Sequence, residues 1–242
     1  MNDVIHPTAL VPTRTMVFTG ILLLLLSWPL QAAAVESSVA EALDTWLERQ
    51  AQVKTWTADV VQIRRLKSLA RPLESRGMLW FAHPNRFRWV MGDPPRTIAV
   101  RTPDELLVVY PRFKRVERFP IGDVSNPAWK QALALLEVGF PSDAVAFRER
   151  YELLSGTKNN DTWRFELQPV DKEARRLLKK VRLEISPESF VLQATELVFP
   201  DGSIMRNEFS RHQLNPEVAP GTFNYDIGED YEVVNPLRSQ TK

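Results

Sequence analysis

Beyond the first 34 residues the chain has two histidines, His83 and His212, and neither has a second His or a Cys at metal-ligand spacing. There is no Gly-rich phosphate loop, no G-x-S-x-G elbow and no H-E-x-x-H helix. Asp and Glu are plentiful, but they alternate toward solvent in strand-like runs, so no carboxylate pair is singled out for acid–base work. Asn160-Asp161-Thr162 matches a glycosylation sequon, which carries little weight in a turn. These residues point away from an enzyme and call for no cofactor and no metal. A hydrolase on a lipid-like substrate would need a polar residue buried in a chamber. What the chain has in excess is apolar bulk, with seven Trp and twelve Phe. Such residues fill a core or wall a chamber for an apolar ligand.

The stretch that must position them runs from Gly77 to Pro95. Leu79 and Phe81, then Phe87, Trp89 and Met91, fall at every second position on either side of the turn His83-Pro84-Asn85. In an antiparallel hairpin that spacing puts one row of large apolar side chains on a single face. The other row mixes Met78, Trp80 and Val90 with Arg86 and Arg88, and meets water in part.

The first segment stands apart from the fold. Arg14 precedes an apolar run from Met16 to Leu30 that contains five consecutive leucines, and Ala32-Ala33-Ala34 supplies the small residues of a signal-peptidase site. The run is shorter than the ~20 apolar residues of a spanning helix. Residues 1–34 are therefore expected to be a signal peptide, 35–237 a single domain exported as a soluble protein, and 238–242 a disordered tail. The chain has no Cys, so neither disulfides nor an N-terminal Cys lipid anchor are expected. Net charge is +1, and the basic clusters are interleaved with acids, which argues against a nucleic-acid partner.

Ser38 and Glu41 have capping-box spacing and predict a first helix ending near Val53. Thr55 to Arg65 alternates, with Trp56, Ala58, Val60 and Gln62 on one face. After the central hairpin, Arg96–Arg101, Glu105–Tyr110 and Arg112–Phe119 continue as strands. Asn126-Pro127 opens a helix, apolar on nearly every side, through Trp129, Leu133, Leu136 and Val138, and Pro141-Ser142-Asp143 starts a helical turn. Further strands are expected over Phe147–Leu154, Thr162–Pro169, Leu178–Ser186, Phe190–Phe199 and Ser203–Gln213, with Asp171–Arg176 as a charged loop and Phe223 and Tyr225 opening a last edge strand. The total is about eleven antiparallel strands, enough for a sheet to curl around an interior.

The order Trp56-x-Ala58-x-Val60-x-Gln62, then Gly77-x-Leu79-Trp80-Phe81-x-x-Pro84-Asn85-x-Phe87-x-Trp89-x-Met91, a Pro pair, and Tyr110-Pro111 closing a strand resembles the periplasmic outer-membrane lipoprotein carrier proteins (LolA-like). The resemblance implies a mostly-β α+β fold: an unclosed antiparallel β-barrel with an α-helical lid over an apolar cavity that takes lipoprotein acyl chains. It implies a periplasmic, monomeric chaperone, loaded by an inner-membrane lipoprotein-releasing transporter and emptied by an outer-membrane acceptor. The expected cavity lining is Trp56, Val60, Leu79, Phe81, Phe87, Trp89, Met91, Val108 and Tyr110, with Trp129, Leu133 and Leu136 on the lid. Where the family typically has an Arg latch before the hairpin proline, this chain has His83, which offers fewer donors and implies a weaker latch. Two alternatives remain: a periplasmic lipid-sensing regulator of a membrane signalling protein, and a carrier of a specialised lipid.

Overall fold

A computed structural model describes residues 28–121, 138–141 and 143–236. They fall into two units, Met1–Ser37 and Ser38–Lys242. Helix α1, Trp28–Gln50, supplies all that is described of the first unit and continues into the second. It starts earlier than the spacing at Ser38 predicts. Leu30 and Ala32 to Ala34 are strong helix formers, and Pro29 falls in the first turn, where its missing N–H goes unneeded. Ser38 and Glu41 are interior helical positions instead. Among the described residues no helix is long and apolar enough to cross a membrane. The predicted helix start at Asn126-Pro127 and the tail 238–242 lie outside the described residues.

Among the described residues twelve strands form one sheet. They are β1 Thr55–Arg65, β2 Leu73–Ala82, β3 Arg86–Met91, β4 Thr97–Arg101, β5 Glu105–Tyr110, β6 Arg115–Pro120, β7 Tyr151–Lys158, β8 Trp163–Pro169, β9 Lys180–Ile185, β10 Leu192–Val198, β11 Ile204–Leu214 and β12 Glu232–Val234. Two antiparallel meanders, β1 to β6 and β7 to β11, join where β11 lies antiparallel beside β1. The outer sides of β7 and β12 do not pair with each other, so the barrel stays unclosed.

The hairpin register matches the alternation in the sequence: Leu79 faces Trp89 and Phe81 faces Phe87. Gly77 faces Met91, and a Cβ on Gly77 would stand 1.9 Å from the Val90 carbonyl oxygen, so only glycine lets β2 and β3 close there. At the β10–β11 turn Gly202 takes φ +85°, and the Asp201 carboxylate accepts from the Ser203 N–H at 2.8 Å.

Three expectations fail for local reasons. Phe147 begins no strand; it lies in α2, Ala144–Arg150, because the Asp143 carboxylate accepts from the Ala146 N–H at 2.9 Å and caps a helix that runs on to Arg150. The charged loop is helix α3, Lys172–Leu177, nucleated by Asp171, which accepts from the Glu173 and Ala174 N–H groups. Phe223 and Tyr225 form no strand. The last strand among the described residues is β12, and it pairs parallel with β6, Glu232 facing Arg115.

The two faces of the sheet are covered differently. On the inner face α1 packs Leu43, Trp46 and Leu47 into one buried cluster with Phe165, Leu167, Leu183 and Ile185, and the Trp46 and Phe147 rings meet edge-on at 5.8 Å. The outer face of the first meander carries a second cluster, Ile98, Val100, Leu107, Val109 and Val116, covered by Tyr225, Ile227 and Tyr231. The Arg88 guanidinium holds that cover down by donating to the Thr222 and Asn224 carbonyls at 3.3 and 3.1 Å. On the outer face of β8 to β11, Glu166, Arg182, Glu196, Arg206 and Glu184 form a ladder of ion pairs instead.

Candidate functional site

The inner face changes character along each strand of the first meander. On β1, Trp56, Ala58 and Val60 are buried, Gln62 is half-buried and Arg64 is exposed. On β2, Phe81 and Leu79 are buried, Ser75 is half-buried and Leu73 is exposed. The sealed end lies under aromatic cover: the Phe140 ring stands 5.1 Å from Trp56 and 5.0 Å from Phe81. Beyond it the filling stops, and a cavity of about 480 Å³ opens toward the Arg64 end. That volume lies within the ~300–1,000 Å³ range of small-molecule pockets.

The cavity walls are built from alternate residues of neighbouring strands. β3 contributes Phe87, Trp89 and Met91; β4 and β5 contribute Ala99, Leu106, Val108 and Tyr110; β10 and β11 contribute Leu197, Met205 and Phe209. Val138, Gly139 and Phe140 close one side. Of the expected lining, Phe87, Trp89, Met91, Val108 and Tyr110 stand at the cavity. Trp56, Val60, Leu79 and Phe81 do not. They share the correct face, but α1 and Phe140 pack that end solid, and all four belong to the buried core. Alternation fixes which face a side chain takes and is blind to what covers it.

His83 is an exposed turn residue whose backbone N–H donates to the Lys54 carbonyl at 2.8 Å. The expected lid residues Trp129, Leu133 and Leu136 lie outside the described residues, and so does any latch between them and His83. Among the described residues there is no group of three or more His, Cys, Asp or Glu that could hold a metal ion.

Two features of the wall escaped the sequence reading. The first is a polar row across β10, β11, β1 and β2: Thr195 faces Asn207, Asn207 faces Gln62, and Gln62 faces Ser75. The Gln62 amide donates to Asn207 Oδ1 at 3.0 Å, and the Asn207 amide donates to Thr195 Oγ1 at 3.1 Å. Buried Asn207 and Thr195 are thus satisfied within the row, as polar groups in an apolar wall must be. The signal in the sequence was Gln62 itself, a polar residue on the face of Trp56, Ala58 and Val60. The second is cationic. Arg64 and Arg96 line the cavity mouth, and no Asp or Glu among the described residues lines this cavity. At the β5 rim the Tyr110 hydroxyl stands 3.5 Å from Glu117 Oε2; burial and the neighbouring carboxylate push its pKa up, so the phenol keeps its proton.

Sheet and cavity together define a half-barrel with an internal apolar chamber and a polar mouth. The sequence matches the family described as outer membrane lipoprotein carrier protein LolA over residues 51–226, and the chain belongs to that family. No curated protein matches it. Among solved structures it is similar to an uncharacterized conserved protein from Thermus thermophilus, at 12% identity and TM-score 0.48, covering 82% of this chain and 99% of that one. It is similar to a LolA superfamily protein from Nitrosomonas europaea, at 12% identity and TM-score 0.39, covering 75% and 97%. It is also similar to a chain of the Pseudomonas aeruginosa MucA/MucB complex, at 15% identity and TM-score 0.43, covering 80% of this chain and 63% of that one.

Proposed function

We propose that this protein is a periplasmic carrier, not a catalyst: it shelters the acyl chains of lipidated proteins released from the inner membrane and delivers them to the outer membrane. The observation that supports this most directly is the cavity of about 480 Å³, walled by Phe87, Trp89, Ala99, Leu106 and Val108 in a member of the lipoprotein carrier family. Transfer of an acyl chain from water gains ~0.8 kcal/mol per methylene, so a sixteen-carbon chain offers on the order of 12 kcal/mol before ordering costs. Affinity is readily obtained, and the harder requirement is release. The half-built wall serves release, because a chain that is enclosed on part of its surface gives up less on leaving. An inner-membrane transporter would load the carrier and an outer-membrane acceptor would empty it.

The test is binding of a fluorescent triacylated lipopeptide against the same peptide without acyl chains. Saturable binding of the acylated form alone is expected, and Ala99→Trp, which fills the cavity from β4, should abolish it while circular dichroism stays native. Equal binding of both peptides, or undiminished binding by a folded Ala99→Trp protein, would refute the carrier reading.

A further inference from the structure

We infer that the cavity is oriented for an amphiphile with an anionic headgroup, carboxylate or phosphate, held at the mouth by Arg64 and Arg96, with the adjoining carbonyl on the polar row of Gln62, Asn207 and Thr195. This rests only on the part of that reading by which the cavity takes an acyl chain, since the lipid of a lipidated protein carries ester and amide carbonyls and no anionic headgroup; it adds which end enters first and what the other end must carry.

The charge pattern supplies the first argument. Many sheet arginines are matched with acids: Arg76 with Glu74, Arg115 with Glu117, Arg118 with Glu105, Arg164 and Arg206 with Glu184, and Arg182 with Glu166. On the outer face of β3, Arg88 donates to the Thr222 and Asn224 carbonyls and Arg86 lies over the Phe223 ring. Arg64 and Arg96 are set apart by standing at the cavity. Neither guanidinium has a hydrogen-bond or ion-pair partner among the described residues, although both border one cavity whose described wall contains no carboxylate. Two guanidinium groups facing an apolar chamber raise the local positive potential and present planar donors suited to carboxylate or phosphate oxygens.

The polar row supplies the second. A pocket meant only for hydrocarbon gains nothing from Gln62, Asn207 and Thr195 on its wall, and a chain sliding past them would lose contacts that apolar side chains provide. The row lies between the cationic mouth and the deeper aromatic wall, since Arg64 follows Gln62 by two residues on β1, while Val60, two residues before it, faces Phe209. Each amide in the row spends one N–H inside it and keeps a second N–H. An ester or carboxyl-proximal carbonyl at that depth would find donors, with its chain running inward past Phe209 toward Phe87 and Leu106.

The experiment displaces a neutral fluorescent probe, N-phenyl-1-naphthylamine, from the purified, delipidated protein. Competitors are palmitate, its neutral methyl ester and a lysophospholipid with a phosphoglycerol headgroup. The anionic amphiphiles should displace the probe at concentrations about tenfold lower than the methyl ester, and the preference should shrink with added salt. In Arg64→Gln/Arg96→Gln the anionic advantage should vanish while the methyl ester is unchanged; Arg65→Gln, whose side chain is exposed and off the cavity wall, should keep it. Preference for palmitate identifies a carboxylate as the ligand's head, and preference for the lysophospholipid identifies a phosphate. Equal displacement by charged and neutral competitors overturns the headgroup inference and leaves the acyl cavity standing. If no competitor displaces the probe, the acyl reading itself falls.

Discussion

Leu79 and Trp89 face each other across β2 and β3, yet Leu79 is completely enclosed while Trp89 borders the cavity. One step across the sheet separates the solid half of the interior from the hollow half, so deletions on the two sides should differ in cost. Leu79→Ala leaves a void in a packed region and should destabilise by about 2–5 kcal/mol. Val108→Ala trims a residue that already fronts empty space, so it loses transfer energy without opening a new void, about 1 kcal/mol. Urea denaturation of the two variants measures the difference.

Glycine is required at Gly77 and Gly202 for different reasons. A methyl on Gly77 meets backbone, the Val90 carbonyl at 1.9 Å, so Gly77→Ala must part the hairpin and should cost at least about 2 kcal/mol. A Cβ placed on Gly202 would meet nothing within 4 Å beyond its chain neighbours, and the obstacle is only φ +85°. Gly202→Ala should therefore cost about 1 kcal/mol. Thermal melts that rank the two in the opposite order would show that the β2–β3 contact is looser than this geometry.

The hairpin, the paired meanders and the inner face were legible because period-two alternation from Trp56 to Met91 leaves a strand few choices of orientation. What lies over the sheet was not. Trp56 and Trp89 obey the same alternation, but one is buried against Phe140 and the other opens on the cavity, a distinction made by residues far away in sequence. The same limit hid the outer cover: Tyr225 reads as the start of a strand, yet it packs against the outer cluster of Ile98, Val100, Leu107, Val109 and Val116, and the strand that follows, β12, pairs parallel with β6, which no local pattern announces. Helices α2 and α3 are short and set by single Asp caps: period-two counting overruns the first from Phe147, and the charge of Asp171–Arg176 makes the second read as a loop.

Acid should unfold the protein in two stages. His212, stacked on Trp56 at 5.6 Å, has its pKa lowered by burial, so the folded state binds fewer protons there than the unfolded chain. Its contribution is present above the unfolded value of ~6.5 and fades as pH falls below it. For Glu184, burial pushes the pKa up, but hydrogen bonds from Arg206 and Arg164 outweigh it, and the net shift is downward; the Lys180 hydrogen bond to Glu166 lowers that pKa too. Those contributions are lost only below ~4.3. Urea midpoints measured from pH 8 to 3 should fall in both windows, and His212→Phe, which keeps a ring against Trp56, should remove the upper stage alone.

The C-terminal cover of the outer face should open independently of the sheet. Its polar hold on β3 is the Arg88 guanidinium, which donates to the Thr222 and Asn224 carbonyls and lies 6.0 Å from the Tyr225 ring centre, while Arg86 lies 5.3 Å from the Phe223 ring centre. Tyr225 and Tyr231 hydroxyls stand 3.3 Å apart, and burial together with that hydrogen bond pushes the Tyr225 pKa up to about 12. Hydrogen bonds from a charged donor contribute roughly 1.5–3 kcal/mol, so Arg88→Ala should release the segment while the β1–β11 core keeps its order. Hydrogen exchange should then accelerate over residues 222–231 and stay unchanged in β9 and β10, and the absorbance titration of Tyr225 should move down toward the ordinary ~10. Uniform acceleration across the whole sheet would mean instead that the cover and the barrel fold as one cooperative body.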